Sequence, residues 1–227
     1  MSDRAEFLID LSALSTNVSR LKKECAVDVL AVVKADAYGH GLVRVAQAAI
    51  TAGASYLGVA LLEEALTLRE NAVEAPILAW LVSPGSDFDS AISNNIELGV
   101  SSLKGLREIS ESAKRVGKKA LIHIEVDTGM TRGGFLDEWK ELLAEDFSHV
   151  EVIGVFSHFA RADEPGEKQN TDQLQKFKQM VSELEKIGIN PPIKHLSNSA
   201  ATLKDKDSYF SMVRVGIAMY GLTPDII

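Results

Sequence analysis

The strongest constraint on this chain of 227 residues is an alternation: short apolar runs rich in Val, Ile and Leu recur eight times, and amphipathic helical patterns fill the gaps. The runs span residues 27–34, 55–60, 76–81, 96–100, 119–126, 150–157, 193–197 and 212–217. Helical periodicity marks residues 40–51, 62–71, 87–94, 103–116, 137–145, 171–186 and, more briefly, 200–204. Strands joined through helices lie parallel, because a parallel neighbour needs a crossover. Eight of them either close into a (β/α)8 barrel or lie as an open, doubly wound sheet. The Gly-rich fingerprint of a dinucleotide-binding sheet is missing, so the pattern predicts the barrel. A barrel of this kind takes about 250 residues, which makes this a compact one, a single domain over residues 1–227. Ahead of it, residues 6–11 read as one extra strand, followed by a helix from Ser12 or Ser15 to Lys23. That strand has no evident partner, and a strand edge needs a sheet.

Composition narrows the function. A hydrophobic fraction of 46% with 25% charged residues suffices for one large core, and a net charge of −8 argues against nucleic acid or an acidic membrane as partner. No apolar stretch approaches the roughly 18 residues of a bilayer span, and the first residues lack a signal-peptide pattern, so a cytoplasmic protein is expected. The single cysteine, Cys25, excludes an internal disulfide and reads as a small core residue. Five histidines, His40, His123, His149, His158 and His195, show no metal-ligand spacing; His123 and His195, inside strands, read as core or barrel-lining groups.

Barrels of this class build their sites at the carboxyl ends of the strands. Lys34 stands at the end of the first run, where a buried strand opens into the loop Ala35-Asp36-Ala37-Tyr38-Gly39-His40-Gly41. A lysine there either snorkels out of the strand end or serves as the amine of a Schiff base. Tyr38 follows the same strand, Arg132 the fifth, His158 the sixth, Asn198 and Ser199 the seventh, and Arg214, Gly216 and Ile217 lie on or after the eighth. The last two loops are where such barrels often bind phosphate, and small polar residues with a glycine let an anion approach the backbone. The plainer alternatives are that Asn198 or Ser199 caps a helix and that Gly216 fits a tight corner. An amine together with a phosphate site is what pyridoxal phosphate requires.

At these residues the chain resembles the bacterial alanine racemases. The segment Ala31-Val32-Val33-Lys34-Ala35-Asp36-Ala37-Tyr38-Gly39-His40-Gly41 is similar to their cofactor-attachment signature, and further matches follow in order at Asp127 to Arg132, Ser157 to Ala160, Ser197 to Ser199 and Arg214 to Gly221. The resemblance covers all 227 residues but only the family's N-terminal barrel. It implies pyridoxal-phosphate-dependent interconversion of L- and D-alanine, supplying D-alanine for peptidoglycan, by a homodimer acting on a free amino acid without a metal. Lys34 would hold the cofactor and act as one of two bases. Tyr38, Ser199, Gly216 and Ile217 would bind the phosphate, with Asn198 beside the cofactor and Trp80 lining its pocket. Arg214, supported by His158, would face the pyridine nitrogen; an arginine keeps its proton, which leaves that nitrogen unprotonated. Arg132 would hold the substrate carboxylate.

The chain departs from the family's pattern in places. Many members carry a carbamylated lysine two positions before the Asp-Thr-Gly; Glu125 stands there, predicting a direct acid-to-arginine contact with Arg132. Asp36 replaces the more usual asparagine and reads as a tolerated loop change. The family's second domain, which brings the opposite-face tyrosine from the partner subunit, has no counterpart among Tyr38, Tyr56, Tyr209 and Tyr220. The expectation is therefore an incomplete enzyme with weak or absent racemisation, its residues 6–11 left without the domain they would pair with. The alternative is a free-standing single-barrel pyridoxal-phosphate-binding protein of cofactor homeostasis.

Overall fold

In the computed structural model, residues 6–164 and 166–224 are described; the outermost residues of the expected 1–227 domain lie outside them. Eight parallel strands form one sheet: β1 (Asp28–Val32), β2 (Tyr56–Val59), β3 (Ile77–Ala79), β4 (Glu97–Val100), β5 (Ala120–Glu125), β6 (Val150–Phe156), β7 (Ile193–His195) and β8 (Met212–Val215). Consecutive strands pair from β1 through β7, and β8 returns to β1 with Leu30 opposite Arg214. The remaining seam, between β7 and β8, has no regular ladder. It is bridged by the Ser211 and Arg214 amides, which donate to the Lys194 and Ser197 carbonyls at 3.2 and 2.9 Å. The sheet is thus a nearly closed barrel, as the alternation predicts.

Around it run α1 (Leu11–Cys25), α2 (Lys34–Gly39), α3 (Leu42–Thr51), α4 (Leu62–Glu70), α5 (Phe88–Ser93), α6 (Leu103–Val116), α7 (Trp139–Leu142), α8 (Lys168–Lys186) and α9 (Ser199–Lys204). Helix α6 shows the local logic: the Ser102 hydroxyl accepts from the Gly105 amide, Gly117 ends the helix in the left-handed region, and Leu106, Ile109 and Ala113 form the buried stripe. Among the described residues no helix is long and apolar enough to cross a membrane. Cys25 is buried, as its composition suggested.

Two layers of side chains follow from strand alternation. Outward residues such as Val29, Ala31, Val213 and Val215 join the large core under the helices. Inside the barrel, Leu30, Val32, Leu78 and Met212 make a small apolar cluster. Interior glycines make room for their bulky neighbours: a Cβ on Gly58 would fall 2.3 Å from Leu30 and 2.4 Å from Trp80, and one on Gly154 only 1.9 Å from His123. A larger residue at either position would overpack the barrel.

Two local expectations fail. Residues 6–10 form no strand, and Leu11 already belongs to α1. The Asp10 carboxylate accepts from the Ser12 and Ala13 amides, which starts the helix there. With no strand beside it, the segment's β-like pattern finds no hydrogen-bonding edge, and Phe7 and Leu8 stay 82% and 85% exposed. The helix expected over residues 137–145 is confined to the four residues of α7.

Candidate active site

Strand β1 ends in α2, and α2 is wound the wrong way. Ala35, Asp36, Ala37 and Tyr38 have φ between 52° and 56° and ψ between 34° and 55°, one turn of left-handed helix made of non-glycine residues. Such a conformation costs about 1–2 kcal/mol per residue, so outside contacts must hold it. Glu64, at the start of α4, is one: its carboxylate accepts from the amide of Ala35 through one oxygen, and from the amides of Ala60 and Leu61, each at 2.9 Å, through the other. Asp36 is another. Its side chain accepts from the Leu42 amide at 2.7 Å, at the start of α3. An asparagine oxygen can make the same bond. The turn presents Lys34 and Tyr38 to the barrel mouth, and the Tyr38 ring packs on Tyr220 at 4.9 Å between centroids.

There a cavity of about 390 Å³ is lined by all ten residues singled out from the sequence: Lys34, Tyr38, Trp80, Arg132, His158, Asn198, Ser199, Arg214, Gly216 and Ile217. Val32, Leu81, Glu125, Phe156 and Asp163 join them. Three cations face two carboxylates across this space, which favours an anionic ligand.

At one part of the wall Gly216 leaves a cradle. A Cβ there would sit 2.6 Å from the Tyr38 hydroxyl, and the Ser199 hydroxyl accepts from the Gly216 and Ala218 amides at 2.9 and 3.3 Å. Two hydroxyls therefore converge where a side chain is absent. Asn198 caps α9 through its side-chain oxygen, which accepts from the Ala201 amide.

Arg214 is buried, and its guanidinium is held from behind. Nη1 donates to the His195 ring and carbonyl, while Nη2 donates to the carbonyls of Ser157 and Leu196 and to His158 Nδ1. Among the described residues its Nε–H has no partner, so one donor is left over in a side chain that lines the cavity. Burial lowers its pKa to about 10, against the pull of Glu125, and it stays a cation at neutral pH. Burial first, and then the charges of Arg214, Arg132 and Lys34, push His158 down to about 3, so its imidazole is neutral.

Buried Gln173 of α8 braces this wall: its amide donates to the His158 carbonyl at 2.9 Å and its oxygen accepts from the Ala160 amide at 2.9 Å. Neither Gln173 nor Glu64 stands out in the sequence: Gln173 holds backbone groups 15 and 13 residues away, and the Glu64 bond that matters here reaches Ala35, 29 residues away. The expected Glu125–Arg132 contact is not formed; among the described residues no hydrogen bond or ion pair joins them. They share the cavity and act on each other through space. Burial raises the Glu125 pKa, while Arg132 and Arg214 pull it back. Glutamate's shorter arm, against Gly133 and Gly134, keeps the carboxylate near the strand end while Arg132 is exposed.

Known proteins resemble this chain in sequence and in fold. A family profile described as "Alanine racemase, N-terminal domain" matches residues 9–224. The alanine racemase of Salinispora tropica is 45% identical over 227 aligned positions, covering 97% of this chain, and that of Thermobifida fusca is 45% identical over 231, covering 99%. Among solved structures, the alanine racemase of Streptomyces lavendulae superposes with a TM-score of 0.93 at 41% identity, covering 96% of this chain and 59% of that one. The enzyme of Bartonella henselae, solved with covalently bound pyridoxal phosphate, superposes at 0.87 with 30% identity, covering 95% and 60%. The chain spans 61% and 62% of the length of the two curated relatives. Family profile, relatives and superposed structures agree, and the chain belongs to the alanine racemase family, matching its N-terminal barrel domain.

Proposed function

We propose that this barrel carries the pyridoxal 5′-phosphate site and one catalytic base of an alanine racemase, which interconverts L- and D-alanine and supplies D-alanine for peptidoglycan. The observation that carries the reading is the convergence on one cavity of Lys34, of Arg214, whose Nε–H has no partner among the described residues, and of the two hydroxyls over Gly216. These donors fit the group. Pyridoxal phosphate, when bound, supplies a carbonyl that condenses with amines and a ring that draws electrons from the adjacent α-carbon. Lys34 holds it and exchanges a proton with one face of that α-carbon. Tyr38, Ser199, Gly216 and Ile217 hold the phosphate, with Asn198 and Trp80 lining the pocket. Arg214 offers its Nε–H to the ring nitrogen but keeps the proton, which restrains the ring as an electron sink and disfavours side reactions. His158, neutral, accepts from Arg214 and so steadies the guanidinium rather than moving a proton. Arg132 binds the substrate carboxylate, and Glu125 balances its charge through space.

The test is chemical labelling followed by isotope exchange. Incubation with pyridoxal phosphate and reduction with borohydride should leave a stable adduct on Lys34, found by peptide mass spectrometry and absent in Lys34→Ala. In D₂O the loaded chain should exchange the α-hydrogen of alanine faster than it racemises it, since Lys34 serves one face only. No adduct, or one elsewhere, would overturn the cofactor site; an adduct without exchange would favour a cofactor-carrying protein over an enzyme.

A further inference from the structure

Behind Arg214 the barrel interior holds a line of polar side chains that the reaction does not touch. His195 Nδ1 lies 3.1 Å from Arg214 Nη1, His195 Nε2 lies 3.0 Å from His123 Nδ1, and His123 Nε2 lies 2.9 Å from the Glu97 carboxylate. All four side chains are buried, and neither His123 nor Glu97 lines the cavity. The line crosses the barrel from β8 through β7 and β5 to β4.

Its hydrogens have one consistent arrangement. Arginine is a donor only, so His195 Nδ1 must accept, and a neutral His195 then carries its hydrogen on Nε2. That hydrogen requires a bare Nδ1 on His123, whose own hydrogen therefore lies on Nε2 and points at Glu97. A cationic His123 would set two N–H groups face to face, and the opposite tautomers would set Arg214 against another donor. Every bond points from Arg214 toward Glu97.

We propose that Glu97 is the buried counter-charge of Arg214, reached through His195 and His123, and that Glu97 and His123 are positioning residues that hold the guanidinium as a cation with its Nε–H left for the cavity. A buried cation is unfavourable unless a charge of opposite sign and a full set of acceptors accompany it. Glu125 also acts on Arg214 but is half-buried and shares its field with Arg132. Arg69 acts on Glu97 from a distance, yet its guanidinium is committed to the carbonyls of Val73, Ala75, Asn94 and Asn95. The direction of the chain stands on these residues alone; its use toward a ring nitrogen rests on the function proposed above.

Long-range ¹H–¹⁵N correlation on the histidine-labelled chain at pH 7 reads the tautomers directly. Both His123 and His195 should carry hydrogen on Nε2 with a bare Nδ1; an Nδ1-bound hydrogen on either, or a cationic ring, would overturn the chain. Glu97→Gln keeps an acceptor for His123 but removes the charge. In that variant, hydrogen exchange at Arg214 Nε should speed up about fivefold or more, as a cation stripped of its counter-charge attracts hydroxide, while the β8 backbone amides stay as protected as before. An unchanged Arg214 exchange rate would leave Glu97 no electrostatic role. Neither measurement needs the cofactor, so failure to bind pyridoxal phosphate and failure of this proposal are separate results.

Discussion

Replacing Glu64 should damage the protein twice, and replacing it conservatively should help little. Its two oxygens accept three amides, those of Ala35, Ala60 and Leu61. Hydrogen bonds to charged groups are worth about 1.5–3 kcal/mol each, a naive total well above 4 kcal/mol. Ala35 and Leu61 are exposed, however, and water can take over part of the loss. The Ala60 and Leu61 bonds then resemble a helix N-cap, worth about 0.5–2 kcal/mol, and the Ala35 bond adds about 1 kcal/mol. Glu64→Ala should therefore lose about 2–3 kcal/mol in urea unfolding. Glu64→Gln should lose nearly as much, because its NH₂ must face an amide donor whichever way it is turned. Since the Ala35 bond restrains the turn that carries Lys34 and Tyr38, both variants should also bind pyridoxal phosphate at least about tenfold more weakly, a difference of about 1.4 kcal/mol. A Glu64→Gln variant as stable as the parent, or an alanine variant within about 0.5 kcal/mol of it, would refute the account.

Gly216→Ala places a Cβ against the Tyr38 hydroxyl at 2.6 Å. Tyr38 is 42% exposed and can swing away, so stability should change by less than about 1 kcal/mol while affinity for pyridoxal phosphate falls about tenfold or more; an unaltered titration would remove Tyr38 and Gly216 from the phosphate site. Acid should destabilise the fold through its neutral histidines. Burial depresses both His158, to about 3, and His195, whereas an unfolded imidazole titrates near 6.5. The unfolded chain binds protons that the folded one refuses, so this stability is complete above about pH 6.5 and is lost as the pH falls, for His158 toward about 3 at about 1.4 kcal/mol per unit. From pH 7 to 5 His158 alone should cost about 2 kcal/mol, and His195 acts in the same direction. His158→Asn, measured by urea unfolding at both pH values, should remove about 2 kcal/mol of that loss, and a loss left intact would contradict the burial argument.

The barrel was legible because its signal is periodic and repeated. Each apolar run holds a strand, trimmed by one to three residues at its ends, and β1 stops at Val32 because Lys34 already belongs to the turn. The cavity residues were legible because they sit at strand ends within recognisable motifs. What stayed hidden depends on partners far along the chain. Residues 6–11 have strand-like composition, but composition cannot supply an edge to pair with. The hydrogen bond between His123 and His195 spans 72 residues, and that between His123 and Glu97 spans 26, so each side chain alone reads only as a core group. The left hand of α2 is invisible to hydrophobic pattern; Gly39 and Gly41, both at positive φ, were its only trace. The Glu125–Arg132 contact was inferred from the acidic group the family carries at that position, and glutamate's shorter arm leaves it unmade.

That turn has a consequence for the chirality of the polymer itself. Ala35, at φ 54° and ψ 55°, holds the reflection of an ordinary helical residue, and Ala37, at 53° and 49°, does the same. For a D-amino acid these angles are the relaxed ones, since the Cβ collision that disfavours them belongs to the L-series. The residues beside Lys34 are thus a short stretch where a chain built from L-residues imitates its own enantiomer. A semisynthetic chain with D-alanine at position 35 would keep the same backbone path with the steric penalty removed.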